Sequence, residues 1–452
     1  MISRRHFFYG ALLAGAVPAG GFGRVASLKR VGYKSPNEKL NIAAIGAGGK
    51  GASDIAACSS ENIVAMADPD DERAAKTFKA FPEVPKYKDF RRMLDKQGKD
   101  IDAVLVSCPD HVHASAAMWA MERGKHVYCQ KPLTRTVWEA QQLTLAAARY
   151  GVATQMGNQG YSHPGARECC EIIWNGDIGD VTEVHAWTNR PDPYWPQGPE
   201  VVPVEQPIPA TLDWDAWLAG SLPRPYSPAY VPHNWRAFPD FGCGAIGDMA
   251  CHILGTPNMA LRLAAPLSVE CIKVEGKAKH TFPYRTVIRF DFPARGAMPP
   301  VKVFWYDRVS KHPDIEGVPE DEKLGDGANG SLFIGSKGMV TTGCYGEQTR
   351  LVPAGKMKDY KMPPQLLTRS PGPEKEWMRG HYRDWIRACK GGEPACSNFS
   401  ISGPFAQWML LGVIAMRVEG KLLWDAQKMR FTNNPEANKY LKPQFRKGWK
   451  FA

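Results

Sequence analysis

"LNIAAIGAGGKG", residues 40–51, decides the fold. Leu40 to Ile45 form a short apolar run of strand character, and Gly46, Gly48 and Gly51 follow in G-x-G-x-x-G spacing. The next stretch, "ASDIAACSS" (52–60), reads as a helix. Strand, glycine turn and helix in that order let the backbone approach a pyrophosphate closely and aim a helix N-terminus at it. The glycine spacing by itself is common; the strand before it and the helix after it give it meaning. Gly46, Gly48, Gly49, Lys50 and Gly51 are therefore candidate contacts of a dinucleotide.

A second strand, "NIVAMAD" (62–68), ends at Asp68, where a carboxylate meets the hydroxyls of an adenosine ribose. Asp70, Asp71 and Glu72 follow, and their charge opposes a 2'-phosphate, so NAD is expected in preference to NADP even with Arg73 alongside. Further strands at 102–109, 126–132 and 152–158 alternate with helices at 114–124 and 136–151. Near-continuous apolar strands between helices imply a parallel sheet covered on both faces, with ligands at the carboxyl ends of its strands. Those ends carry Ser107, Pro109, His111 and His113, then Gln130 and Lys131, then Gln155 and Asn158, all candidate cofactor contacts. In "VYCQKPLT" (127–134) a strand leaves the core on a lysine held by Pro132.

Beyond residue 160 the pattern changes. Segments 182–191, 268–275, 286–294, 301–308 and 330–342 have period-two alternation, clearest where Ile288, Phe290 and Phe292 face oppositely to Arg289 and Asp291. This predicts an antiparallel sheet with one covered face. Proline-rich stretches at 191–232 and 353–373 read as long surface loops lining a cleft. Within "FGCGAIGDMACHILG" (241–255), Asp248 and His252 stand four apart, so a helix puts both on one face, where the carboxylate can hold the imidazole in one tautomer. With no HExxH and no cysteine cluster, no metal is expected.

The chain has 452 residues, 44% hydrophobic and 23% charged, and exceeds one usual core, so two domains are expected. Its net charge of +11 is scattered, which disfavours nucleic acid and favours acidic or anionic small substrates. "SRRHFFYGALLAGAVPAGG" (3–21) resembles a twin-arginine signal, with Arg4-Arg5 before aromatics and a short apolar run. An exported, periplasmic protein without a membrane span in its mature form is expected. The eleven cysteines form no C-x-x-C pair and read as small core residues.

"GAGGKG" (46–51), "CQKP" (129–132) and "GAIGDMACH" (244–252) together resemble the Gfo/Idh/MocA oxidoreductases, and the resemblance spans roughly residues 38–440. It implies an N-terminal Rossmann domain (38–160) and a C-terminal α+β domain with a large, mostly antiparallel open sheet (161–440). A signal and linker (1–37) precede them, and a basic tail (441–452) follows. It also implies a homo-oligomer through the sheet, a lysine contacting nicotinamide and substrate, and an aspartate and histidine completing the catalytic site. Those roles fall on Lys131, Asp248 and His252. "TQMGNQGYS" (154–162), "HAWTNRP" (185–191) and "LDWDAWL" (212–218) resemble an exported branch. One departure is Gln130, where the family has glutamate before Lys-Pro.

The expected reaction is oxidation of a sugar or polyol hydroxyl by tightly held NAD. Lys131 or His252 takes the hydroxyl proton, and Asp248 orients His252. Tyr161, Arg190, Trp235, Arg236 and His252 are candidate substrate contacts, the arginines suiting a carboxylated or phosphorylated sugar. Trp187, Trp195, Trp214 and Trp217 offer further stacking faces. A second reading is a redox-neutral glycoside hydrolase that oxidises C3 transiently, although "IGDMACHIL" does not match the Tyr-Pro-Thr-His-Gly segment of NAD-dependent α-N-acetylgalactosaminidases. A third is a non-catalytic binding protein, which the intact motifs oppose.

Overall fold

The computed structural model describes residues 37–449, so the Arg4-Arg5 signal lies outside the described residues. Six strands form a parallel sheet in the order β3-β2-β1-β4-β5-β6: β1 (Asn41–Ile45), β2 (Asn62–Ala67), β3 (Lys86–Tyr87), β4 (Ala103–Val106), β5 (His126–Gln130) and β6 (Thr154–Gly157). Every residue of β4, β5 and β6 is buried, and β4, Ala103–Val106, is apolar without a break. The crossovers are α1 (Lys50–Ala57), α2 (Asp71–Ala80), α3 (Phe90–Gln97), α4 (Asp110–Met121) and α5 (Val137–Tyr150). A capping box between Thr136 and Glu139 starts α5, and Gly151 in the left-handed conformation ends it. β3 is too short for periodicity to register, and α1 and α4 each begin before the expected residue because the glycine turn and Pro109 lead straight into them.

The second sheet has nine strands in the order β13-β12-β11-β7-β10-β9-β8-β14-β15. They are β7 (Val181–Trp187), β8 (Ser268–Glu275), β9 (Arg285–Phe292), β10 (Val301–Tyr306), β11 (Gly330–Gly335), β12 (Met339–Thr342), β13 (Arg350–Val352), β14 (Leu422–Asp425) and β15 (Arg430–Phe431). Only β7 and β10 pair in parallel; the other pairings are antiparallel. Ile288, Phe290 and Phe292 on β9 are buried while Arg289 and Asp291 remain half-buried, as their alternation requires.

After α6 (Pro164–Asn175), two late helices bind the sheets together. α7 (Trp377–Cys389) returns to the first sheet, where Tyr382, Trp385, Ile386 and Cys389 share a core with Leu40, Ile42, Ala44, Leu105 and Tyr128. The Tyr128 and Tyr382 rings stack at 4.9 Å. α8 (Phe399–Ala415) lies between α5 and the nine-stranded sheet, its residues buried nearly all round. Its approach to α5 needs Gly403, since a Cβ there would come within 1.8 Å of Thr144 Oγ1.

The proline-rich stretch after β7 is less loop-like than its composition suggests. Trp195, Trp214, Trp217, Tyr226, Tyr230, Trp235, Phe238 and Phe241 form a buried aromatic cluster of their own. This strap is fastened to the first domain by Asp71 N–H to Thr211 O (3.1 Å), Asp213 N–H to Pro69 O (2.9 Å) and His111 N–H to Phe241 O (3.1 Å). Among the described residues no helix is long and apolar enough to cross a membrane.

Because Trp385 is wholly buried against strands of the nucleotide fold, Trp385→Ala is expected to cost about 3–5 kcal/mol of stability. Denaturant unfolding followed by nucleotide-binding fluorescence checks this, and both transitions should shift together.

Candidate active site

The carboxyl ends of β1, β2, β4 and β5 open into a cavity of about 400 Å³. At its nucleotide end the glycines are needed for space. A Cβ on Gly51 would lie 2.1 Å from Gly46 O, and one on Gly46 (φ +89°) 2.6 Å from Ser107 O. This is a cradle that side chains would fill, and it fits the pyrophosphate of a dinucleotide. Asp68 stands at the end of β2, its carboxylate accepting from the N–H groups of Ala47 (2.8 Å), Gly48 (3.1 Å) and Asp70 (3.0 Å). Burial pushes its pKa up against those three donors. Gly49, Lys50, Ser107, Pro109 and Gln130 line the same cavity, together with Asp70 and Arg73.

At the other end Lys131 leaves β5 and its Nζ meets Asp248 Oδ1 at 2.6 Å and Asp248 O at 3.0 Å. Arg236 Nε donates to the same Oδ1 at 3.0 Å. Burial works against the Asp248 charge, but Lys131 and Arg236 outweigh it and hold the carboxyl well below the usual range. Asp248 sits in a π-helical turn, Ile246–Ala250, a device frequent at functional sites. The expected Asp248–His252 pair does not form. Two cations within hydrogen-bond reach are stronger partners for a buried carboxylate than a neutral imidazole.

His252 instead packs on the Tyr345 ring with centroids 4.7 Å apart, and its buried Nδ1 has no hydrogen-bond partner. Burial, reinforced by Lys131, pushes its protonation well below the ordinary histidine range, so the ring is neutral at physiological pH. Asp110, the first residue of α4, also lines the cavity. Burial raises its carboxyl to about 7 against the opposing charges of Arg236 and Lys131. Nothing in its sequence setting singled it out beyond its place after Pro109, and Tyr345 was equally hidden in a loop.

Lys131, Asp248, His252, Arg190, Trp235 and Arg236 are thus brought onto one cavity wall with the glycine turn. Other expected contacts lie behind that wall. His111 Nε2 is 2.9 Å from Trp217 O, and both His113 nitrogens face carbonyls, of Pro132 (2.7 Å) and Cys108 (2.8 Å). Gln155 and Asn158 bond to Ser397, and the Tyr161 hydroxyl accepts from Asn258. These buried polar groups brace the backbone around the cavity. Trp187 belongs to a separate cluster, away from it.

The departure at Gln130 has a physical explanation on α1. Asp54, wholly buried, accepts from Gln130 Nε2 (2.8 Å), Ser107 Oγ (2.6 Å) and the Tyr382 hydroxyl (2.6 Å), and pairs with Lys50 (2.7 Å). A glutamate at 130 would set two carboxylates against each other in a buried place. Gln130→Glu should therefore cost about 3 kcal/mol at pH 8 and less at pH 5, where a shared proton relieves the repulsion. Adding Asp54→Asn, which reverses donor and acceptor across the contact, should recover most of it. Thermal unfolding of both variants at the two pH values is the measurement.

Two domain profiles match this chain. One, described as "Oxidoreductase family, NAD-binding Rossmann fold", covers residues 40–158; the other, "Oxidoreductase family, C-terminal alpha/beta domain", covers 186–288. An uncharacterized oxidoreductase of Schizosaccharomyces pombe is 26% identical over 43% of this chain and 46% of its own length. Levoglucosan dehydrogenase of Pseudarthrobacter phenanthrenivorans is 26% identical over 42% and 40%. The chain thus spans less than half the length of these curated relatives. Among solved structures, the WlbA dehydrogenase of Bordetella pertussis, in complex with NADH and UDP-GlcNAcA, shares the fold at TM-score 0.57 and 15% identity, over 86% of this chain and 99% of that one. With the glycine cradle, the strand-end Lys131 and the second domain all in their expected places, the chain belongs to the Gfo/Idh/MocA oxidoreductase family.

Proposed function

We propose that this protein is an NAD-dependent oxidoreductase acting on a hydroxyl of a sugar, polyol or sugar derivative. The observation that carries the reading is the convergence of Lys131, Asp248, Arg236 and His252 on the cavity that the glycine turn opens into. Bound through Gly46, Gly48, Gly49 and Asp68, NAD would supply the hydride acceptor. His252, neutral and on the cavity wall, takes the proton of the substrate hydroxyl. Lys131 holds positive charge beside the developing alkoxide, and Asp248 fixes Lys131 and Arg236 in place. The levoglucosan and UDP-GlcNAcA named for similar proteins support a carbohydrate substrate. Asp68 and Asp70, which line the cavity, favour NAD over NADP by repelling a 2'-phosphate, and oligomerisation through the nine-stranded sheet completes the assembly.

The strap supports a retained cofactor. Ala216, Trp217, Val231 and Pro232 line the same cavity as the glycine turn, so a dinucleotide there is covered from the second domain. Twin-arginine export carries folded proteins, and the proposed periplasmic enzyme would leave the cytoplasm already loaded. Its hydride must then return to the same or a second substrate, and a glycosidase working by transient C3 oxidation is one such cycle.

His252→Ala and Lys131→Met should each lower turnover by about 10²–10⁴ with NAD affinity nearly intact. Because His252 acts in its neutral form and burial lowers its protonation, the acid limb of wild-type kcat/KM should lie below pH 6.5. Wild-type turnover in either variant assigns the proton transfer elsewhere. Protein freed of nucleotide by gel filtration should still show the absorbance of bound dinucleotide and act without added NAD; an empty protein needing continuous NAD rejects the closed cycle. Asp68→Ala should narrow the preference for NAD over NADP, measured as the ratio of the two dissociation constants.

A further inference from the structure

The cations on the cavity wall differ in how they are neutralised. Lys50 pairs with Asp54 (2.7 Å), Lys88 with Asp71 (2.7 Å), and Lys131 and Arg236 share Asp248. Two remain without a carboxylate partner among the described residues, Arg73 and Arg190. Arg73 is exposed and lies against Gly48 and Gly49, at the nucleotide end. Arg190 follows β7 in the second domain, the domain that also supplies Asp248, His252 and Tyr345. It is the unpaired cation of the substrate end.

Arg190 is also held ready. Its N–H donates to Thr188 Oγ1 (3.2 Å) and its carbonyl accepts from Arg308 N–H (2.7 Å). The guanidinium lies 3.2 Å from the centroid of the Tyr194 ring and spends one donor on Asn189 Oδ1 (3.1 Å). The rest of its planar fork is left for a ligand. The Arg190 charge opposes the burial that raises the Tyr345 phenol, and Tyr345 touches His252, so the cation acts close to the proposed reacting hydroxyl. Asp248 supplies one negative charge against Lys131 and Arg236, which leaves this end of the cavity positive before a substrate enters.

We infer that the substrate is a carboxylated sugar, of the uronate or sugar-acid class, and that Arg190 is the residue that recognises its carboxylate. The inference rests on the carbohydrate reading above and narrows it. A guanidinium fork matches a carboxylate in two parallel hydrogen bonds. A single unpaired guanidinium suits a monoanion better than a phosphate dianion.

The test uses the full chain saturated with NAD and isothermal calorimetry with three hexuronates (gluco, galacto and manno), each beside its neutral uronamide, and glucose 6-phosphate. At least one hexuronate should bind about ten- to a hundredfold more tightly than its amide, and Arg190→Gln should erase that difference while NAD affinity stays unchanged. Equal binding of every acid and its amide, or a preference that survives Arg190→Gln, overturns the inference. So does tighter binding of glucose 6-phosphate than of any hexuronate, or no binding of any probe. Reduction of bound nucleotide is followed separately. Hexuronate binding without any reduction rejects the oxidoreductase reading and keeps the anion site, whereas reduction by neutral sugars alone does the reverse.

Discussion

The carboxylate of Asp248 joins the two halves of this protein at the point where chemistry is proposed. It is set in the second domain, on a π-helical turn, and its partners are Lys131 from the end of β5 and Arg236 from the aromatic strap. Removing one partner would leave a charge uncompensated on a largely buried cavity wall, at a cost of about 3 kcal/mol, the low end of the range for buried pairs. The position of Lys131 is therefore set by a residue far from it in sequence, and the cavity keeps its shape only while both sheets are in register across it.

Buried ionic groups around that pair are accommodated by an opposite charge, by hydrogen-bond donors or by neutrality. Asp54 gathers Lys50, Ser107, Gln130 and Tyr382. The deeply buried histidines go the other way. Burial lowers His111 to about 3, and His113 and His381 to about 4, so they fold as neutral rings. Since the unfolded chain binds protons at these sites more readily, their contribution to stability is present above pH 6.5 and is lost as pH falls through about 4. His252 belongs to the same class, which suits a group that must accept a proton rather than carry one.

Gln130 shows how a departure from a family pattern can be a consequence of another residue. The carboxylate expected on the strand is absent, and a carboxylate stands instead on α1, reaching the same place from the neighbouring element. Tyr382, on a helix more than three hundred residues away in the chain, closes the same network, so the nucleotide fold is not finished until the C-terminal part of the chain has returned to it.

Local signals were sufficient for much of this. The glycine spacing at Gly46, Gly48 and Gly51, the apolar strands with helices between them, and the alternation along β9 are short-range patterns that a chain displays before it folds. They determined the parallel sheet, the antiparallel one, the cradle and the strand-end lysine. What Asp248 pairs with, why residue 130 is glutamine, that Asp110 and Tyr345 face the cavity, that α7 covers the first sheet, and that a proline-rich stretch is a packed aromatic strap were decided only in three dimensions. Each depends on contacts between residues distant in sequence, and on burial, which changes the protonation of a carboxyl or an imidazole without leaving any mark on the residues beside it.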